Sequence, residues 1–126
     1  MKRTMKPAII LLCVCMLLCG CGEDNILSRT NVYGIFALEY EYFNSEDTCQ
    51  FELKNGEVLH FAVETKDGSV EIKVVDLDNN EIFYEDILVS KTFDVAPEKE
   101  GRYIVILTGH KAEGRIDISV DSAQAK

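Results

Sequence analysis

Asp76, Asp78 and Asn80 are spaced as the first three oxygen ligands of a calcium loop, in which alternate side chains of a tight turn aim at one hard cation. Glu81 stands where that loop needs glycine, and Ile87 where it needs the closing bidentate carboxylate, so the helix-flanked form is excluded. What remains is a looser calcium site of carbonyls and carboxylates, set against the plainer reading of a solvated hairpin turn. His60 and His110 belong to no HExxH or spaced Cys/His set, which leaves a transition metal without ligands. Cys49 is in phase with Phe51 and Leu53, as a small buried apolar side chain would be, and no histidine adjoins it in sequence to act as a base. Tyr33, Tyr40 and Tyr42, with Phe43, form the aromatic cluster most open to ligand binding, because exposed tyrosines stack on sugars or anchor protein interfaces. Core packing competes for the same residues, and the lack of Trp weighs against a sugar platform. The chain has no GxSxG, glycine-rich phosphate loop or Ser/Lys catalytic spacing. The expectation is a non-enzyme with no cofactor, calcium being the one ion the spacing entertains.

Strands must position these residues. From Gly34 onward short apolar runs alternate with turn residues, the pattern of an all-β antiparallel sandwich, here of about eight strands. Phe36, Leu38, Tyr40 and Tyr42 alternate with polar or small neighbours, as do Cys49, Phe51 and Leu53, then Leu59, Phe61 and Val63. Asn55-Gly56 between two such runs predicts a hairpin, since both residues tolerate positive φ. Lys66-Asp67-Gly68-Ser69 reads as the next turn, before Val70, Ile72 and Val74. A parity shift near Val75 predicts a bulge, and Asp78-Asn79-Asn80 predicts a turn into Ile82-Phe83-Tyr84. Further strands fall at Lys91–Val95, at Tyr103–Leu107 and at Arg115–Val120. The Tyr103–Leu107 run is apolar at both parities, as a central strand covered on both faces would be.

The N-terminus carries an address. Lys2, Arg3 and Lys6 precede an apolar run from Ala8 to Leu18 that is too short to span a bilayer, the layout of a secretory signal. Leu18-Cys19-Gly20-Cys21 at its end resembles the lipobox of bacterial lipoproteins. The resemblance implies cleavage before Cys21 and a diacylglycerol on its thiol, hence a protein held on the outer side of a cell membrane by acyl chains. The expected organisation is a signal at 1–20, a lipidated N-terminus and flexible tether at 21–33, a sandwich at 34–121 and a disordered tail at 122–126. Four of the five cysteines belong to the signal and its lipidation site, so the folded part has one thiol and no internal disulfide.

Charge narrows the partners. Residues 21–126 carry 10 basic groups against 22 acidic ones, net −12, which argues against nucleic acid. The expected partners are the membrane, through the lipid, and a protein or glycan of the cell envelope.

The order Leu53-Lys54-Asn55-Gly56-Glu57, the Val70–Val74 run into Asp76-Leu77-Asp78-Asn79-Asn80, then Phe93-Asp94-Val95 and Gly101-Arg102-Tyr103-Ile104 resembles the bacterial pre-peptidase C-terminal type of domain. Eukaryotic-type Golgi-dynamics sandwiches share a similar late-strand pattern. The first resemblance implies a jelly-roll-like β-sandwich that acts as an accessory or binding module and brings no catalytic residues. By analogy with other sandwiches, Tyr103 is expected to place its hydroxyl against a backbone group as a structural corner. Two functions follow as expectations: a lipid-anchored module that recognises a protein or envelope polymer, or an accessory lipoprotein of a membrane complex with no soluble ligand.

Overall fold

The structure, a computed structural model, describes residues 24–122. Every regular element among them is a β-strand: β1 (Asn25–Val32), β2 (Ile35–Phe43), β3 (Glu46–Leu53), β4 (Glu57–Asp76), β5 (Glu81–Ile87), β6 (Lys91–Val95) and β7 (Gly101–Ser122). All pairings are antiparallel.

The architecture follows from two long strands that pair with each other and bend together. The first half of β4 pairs the second half of β7, Glu57 opposite Ser122 to Thr65 opposite Gly114. Its second half pairs the first half of β7, Ser69 opposite His110 to Asp76 opposite Tyr103. One layer is thus β1-β2-β7-β4-β6 and the other β3-β7-β4-β5, a single sheet folded over into a sandwich.

Parity shows how the fold-over keeps apolar side chains inside. Apart from Val58 and Val75 near the strand ends, the buried positions of β4 are odd through Val63 and even from Val70, and those of β7 are odd through Gly109 and even from Ala112. An extra residue at each bend flips the side-chain alternation as the layer turns over. In β4 the ladder slips on either side of Asp67; in β7 Lys111 takes φ +52°. Gly68 (φ +69°) and Gly114 (φ +153°) are required here, because a Cβ would lie 2.2 Å from the Lys111 carbonyl oxygen and 1.9 Å from that of Glu64.

Between the layers lies a core built on Phe36, Leu38, Tyr40, Phe51, Phe61, Ile72, Leu107, Ile116 and their neighbours. Phe61 and Phe93 of one layer stack with Phe83 of the other, at centroid separations of 6.4 and 5.2 Å.

Several expectations change. Among the described residues there are seven strands, against the expected eight or so, because the runs on either side of Lys66–Ser69 belong to one strand, as do Tyr103–Leu107 and Arg115–Val120. Residues 25–32, expected within a tether, form β1. This edge strand is exposed along its whole length and shows no alternation because neither face is buried. Asn55-Gly56 turns the chain tightly, with the Glu57 amide donating to the Lys54 carbonyl at 2.9 Å, but β3 and β4 do not pair. Only Gly56 has positive φ, the pattern of a type II turn, which splays its flanks and here carries the chain from one layer to the other. The Tyr103–Leu107 run is central, yet Ile104 and Ile106 face outward half-buried, with no third layer over them. The bulge appears between Val74 and Val75, and the Asp78–Asn80 turn joins a true hairpin of β4 and β5. Ser122, expected in the tail, ends β7. Cys21, the signal and residues 123–126 lie outside the described residues.

Candidate functional site

The sandwich has two unlike ends. At the folded end, β4 and β7 bend and the β2–β3 and β5–β6 loops close. At the other, the loop end, come the turns 33–34, 54–56, 77–80 and 96–100. Two clefts open at the loop end. A cleft of about 290 Å³ opens between Tyr33 and Gly34 of one layer and Gln50, Phe51 and Glu52 of the other, with Lys54 and Glu57 beside it. A second, of about 410 Å³, lies between Asp76, Glu81, Ile82 and the Pro97–Lys99 loop, floored by Tyr103.

Each wall has a structural cause. The type II turn swings Lys54 and Glu57 to the mouth of the first cleft, where the Glu57 carboxylate accepts from the Lys54 amide at 2.7 Å. The Glu100 carboxylate accepts from the Asn55 amide at 3.2 Å and links that turn to the β6–β7 loop. In the second cleft, Tyr103 donates its hydroxyl to the Lys99 carbonyl at 2.6 Å, the expected corner, and holds the Pro97–Lys99 loop over the strand ends. Desolvation raises the Tyr103 phenol above its ordinary value, with the nearby Asp76 charge adding to it.

The tyrosines part company. Tyr33 projects from the β1–β2 turn, 85% exposed, on the rim of the first cleft. Tyr42 is half-buried on β2. Tyr40 is 2% exposed inside the core, its ring 5.3 Å from that of Phe43 and its hydroxyl unpaired. Burial pushes that phenol well above its usual range. The three therefore share no surface, because Tyr40 follows the inward parity of Phe36 and Leu38, and a turn takes Tyr33 away.

Asp76 serves its own hairpin. Its Oδ1 accepts from the amides of Asp78 at 2.9 Å and Asn80 at 2.8 Å, and its Oδ2 from the Asn80 side-chain amide at 3.1 Å. These bonds, chiefly those from Asn80, hold the carboxyl below the ordinary aspartate range. Among the described residues no three His, Cys, Asp or Glu side chains converge as a metal site.

His60 Nδ1 lies 2.6 Å from Asp94 Oδ1 on the outer face. Glu71 accepts from Tyr84 at 2.7 Å and also pairs with His110 Nε2, and these bonds, Tyr84 first, lower its carboxyl. Both bonds favour the ionised carboxylate, and among the described residues no nucleophile or oxyanion donor stands beside it. Burial, chiefly, pushes the Cys49 thiol up to about 12, which removes it as a nucleophile.

Sequence reasoning named Tyr33 but missed Gln50, Glu52, Lys54 and Glu57. These come from different elements joined by pairing through β7, and the one local pointer was the Asn55-Gly56 turn.

No protein-family model matches the chain, and no curated protein sequence does. Solved structures do match. The pre-peptidase C-terminal domain of a collagenase from Bacillus anthracis is 12% identical with a TM-score of 0.48, over 73% of this chain and 91% of that one. TmCBM61 in complex with β-1,4-galactotriose is 17% identical with a TM-score of 0.43, over 75% and 68%. The CENP-C cupin domain of Drosophila melanogaster is 10% identical with a TM-score of 0.41, over 75% and 70%.

Proposed function

We propose that this chain is a lipid-anchored, non-catalytic binding module of the cell envelope that recognises its partner at the loop end. The observation that carries the reading is the cleft of about 290 Å³ between the layers, rimmed by the exposed ring of Tyr33 and lined by Gln50, Glu52, Lys54 and Glu57. An apolar ring beside amide, carboxylate and ammonium groups offers one stacking surface and several directional contacts, the composition of a site that binds rather than reacts.

Charge selects among envelope ligands. Glu52 and Glu57 face one Lys54 in the first cleft, and Asp76, Glu81 and Glu98 face one Lys99 in the second. Such an end repels polyanionic polymers and suits a neutral glycan or a polar to basic protein segment. The lipid supplies location, and the sandwich supplies the site.

The test is in-cell crosslinking from the loop end, with a photoreactive residue at Tyr33 and a control at Ile106 on an outer face, followed by mass spectrometry of the adducts. One defined protein or neutral glycan captured from position 33 and not from 106 supports the reading. Equal capture from both positions, or none from 33, overturns it.

A further inference from the structure

The folded end of the sandwich is where the chain arrives from its N-terminus. The Asp24 carboxylate accepts from the Asn44 amide at 2.8 Å and from the Ser45 hydroxyl, which pins the start of β1 to the β2–β3 turn. Cys21 stands three residues earlier, a reach of at most about 11 Å even fully extended. That reach is comparable with one headgroup layer, roughly 5–8 Å on each side of the hydrocarbon core. A lipid on Cys21 would therefore hold this end within about one headgroup layer of the hydrocarbon core.

The same end carries an apolar tip. Leu88 and Val89, in the β5–β6 loop, are 63% and 70% exposed. The loop is held in place: the Ser90 hydroxyl accepts from the Thr65 amide at 2.9 Å, tying it to the bend of β4. Between this tip and the chain entry stand Lys66 and Lys111, both exposed. The Asp24 carboxylate there accepts from donors of the β2–β3 turn, and the Asp67 carboxylate accepts from the Gly68 amide of its own turn. The two lysines offset half of the four acids at this end, Asp24, Glu46, Asp67 and Glu113, whereas at the loop end Lys54, Lys99 and Arg102 stand against Glu52, Glu57, Asp76, Asp78, Glu81, Glu98 and Glu100, so an anionic surface repels the folded end less than the loop end. Paired apolar side chains on an ordered loop, flanked by lysines whose stems can lie along lipid, suit the bilayer interface.

We propose that the folded end seats directly on the membrane, with Leu88 and Val89 entering the headgroup region and Lys66 and Lys111 facing lipid phosphates. The proposal rests on reading Cys21 as lipidated, and it deepens the proposed function: a domain seated this way presents its loop-end clefts outward.

The test uses the full chain expressed in a lipoprotein-processing host and placed in vesicles of phosphatidylethanolamine and phosphatidylglycerol. A polarity-sensitive fluorophore is attached in separate samples through Val89→Cys and, at the loop end, Asn55→Cys. Cys49 is buried and stays unlabelled at neutral pH. Aqueous iodide then quenches each label, and mass spectrometry reads the Cys21 peptide. An acyl mass on Cys21 with severalfold weaker quenching and a blue shift at position 89, absent at 55, supports the seating. An acyl mass with equal quenching at both positions overturns the seating alone and leaves the anchored module standing. An unacylated Cys21 overturns the anchored reading and the seating with it.

Discussion

Arg29 on β1 and Asp47 on β3 are joined by two hydrogen bonds of 2.9 Å, Nε to Oδ2 and Nη2 to Oδ1, between edge strands of opposite layers that share no ladder. The opposite edge repeats the device: Lys91 on β6 reaches Glu85 on β5 at 2.6 Å. Each cation also lies over a ring at the layer margin, Arg29 above Phe36 at 5.2 Å and Lys91 above Phe93 at 5.4 Å. The sandwich is thus one folded sheet with its two open margins clasped by ion pairs that shield the aromatic ends of the core.

The Arg29 clasp holds the exposed β1 more than the core. Arg29→Ala should cost about 0.5–1 kcal/mol in urea unfolding, the range of a well-aligned surface pair. Asp47→Ala should cost a similar amount, with the double variant less than additive. Hydrogen exchange should speed up in β1 before anywhere else. Additivity of the two substitutions would show that the pair contributes no coupling.

Gly68 and Gly114 set the fold-over. Alanine at either position meets backbone carbonyl oxygens at bond-like distances in a φ region that L-residues avoid, so each variant should lose about 2–4 kcal/mol or fail to fold. Gly34→Ala is the control: its φ is also positive, +80°, but no atom lies within 4 Å of the added methyl. It should cost only the backbone term, about 1 kcal/mol. Equal losses at all three sites would refute a steric role for the bend.

Tyr103→Phe removes the hydroxyl that accounts for the corner and leaves the ring in place. Stability should fall by about 1 kcal/mol, the net worth of one hydrogen bond. Backbone exchange at 97–100 should rise. Unchanged protection there would mean that the loop is held without this bond.

Asp76 links the β4–β5 hairpin to pH. Its carboxyl is lower folded than unfolded, so its contribution is fully present above the unfolded value near 3.8 and is lost as pH falls through the lower folded value. Glu71, also lowered and starting from 4.5, acts in the same direction. Asp76→Asn should therefore flatten the acid limb of a melting-temperature profile below about pH 4. Because the Asp76 oxygens already serve the turn, added calcium should leave the melting temperature of the parent protein unchanged; a rise would place an ion there.

Cys49 should resist a thiol reagent at pH 8 while the domain is folded and react within the dead time once urea unfolds it, since the thiolate forms only near 12. Rapid labelling of the native protein would show that the β3 edge opens.

What the sequence alone determined is local. Alternation located β2, β3, both halves of β4 and the C-terminal half of β7, because each has one face inward and half-burial prints itself as period two. The Asp78–Asn80 turn, the Val75 bulge and the Tyr103 corner were legible for the same reason: each is made by residues within a few positions of one another. The tertiary structure decided what depends on distant partners. β1 is exposed on both faces and carries no pattern, so only its pairing with β2 and the Arg29 clasp reveal it. Whether Asn55-Gly56 closes a hairpin or sends the chain across to the other layer depends on which strand claims β3, and β7 lies some fifty residues on. Two apolar runs in β4, and two in β7, become single bent strands because each keeps its inward face by slipping one residue at the bend. The cleft at Tyr33 exists only once both layers meet, which is why one of its aromatic residues could be read from the chain while the polar residues around it could not.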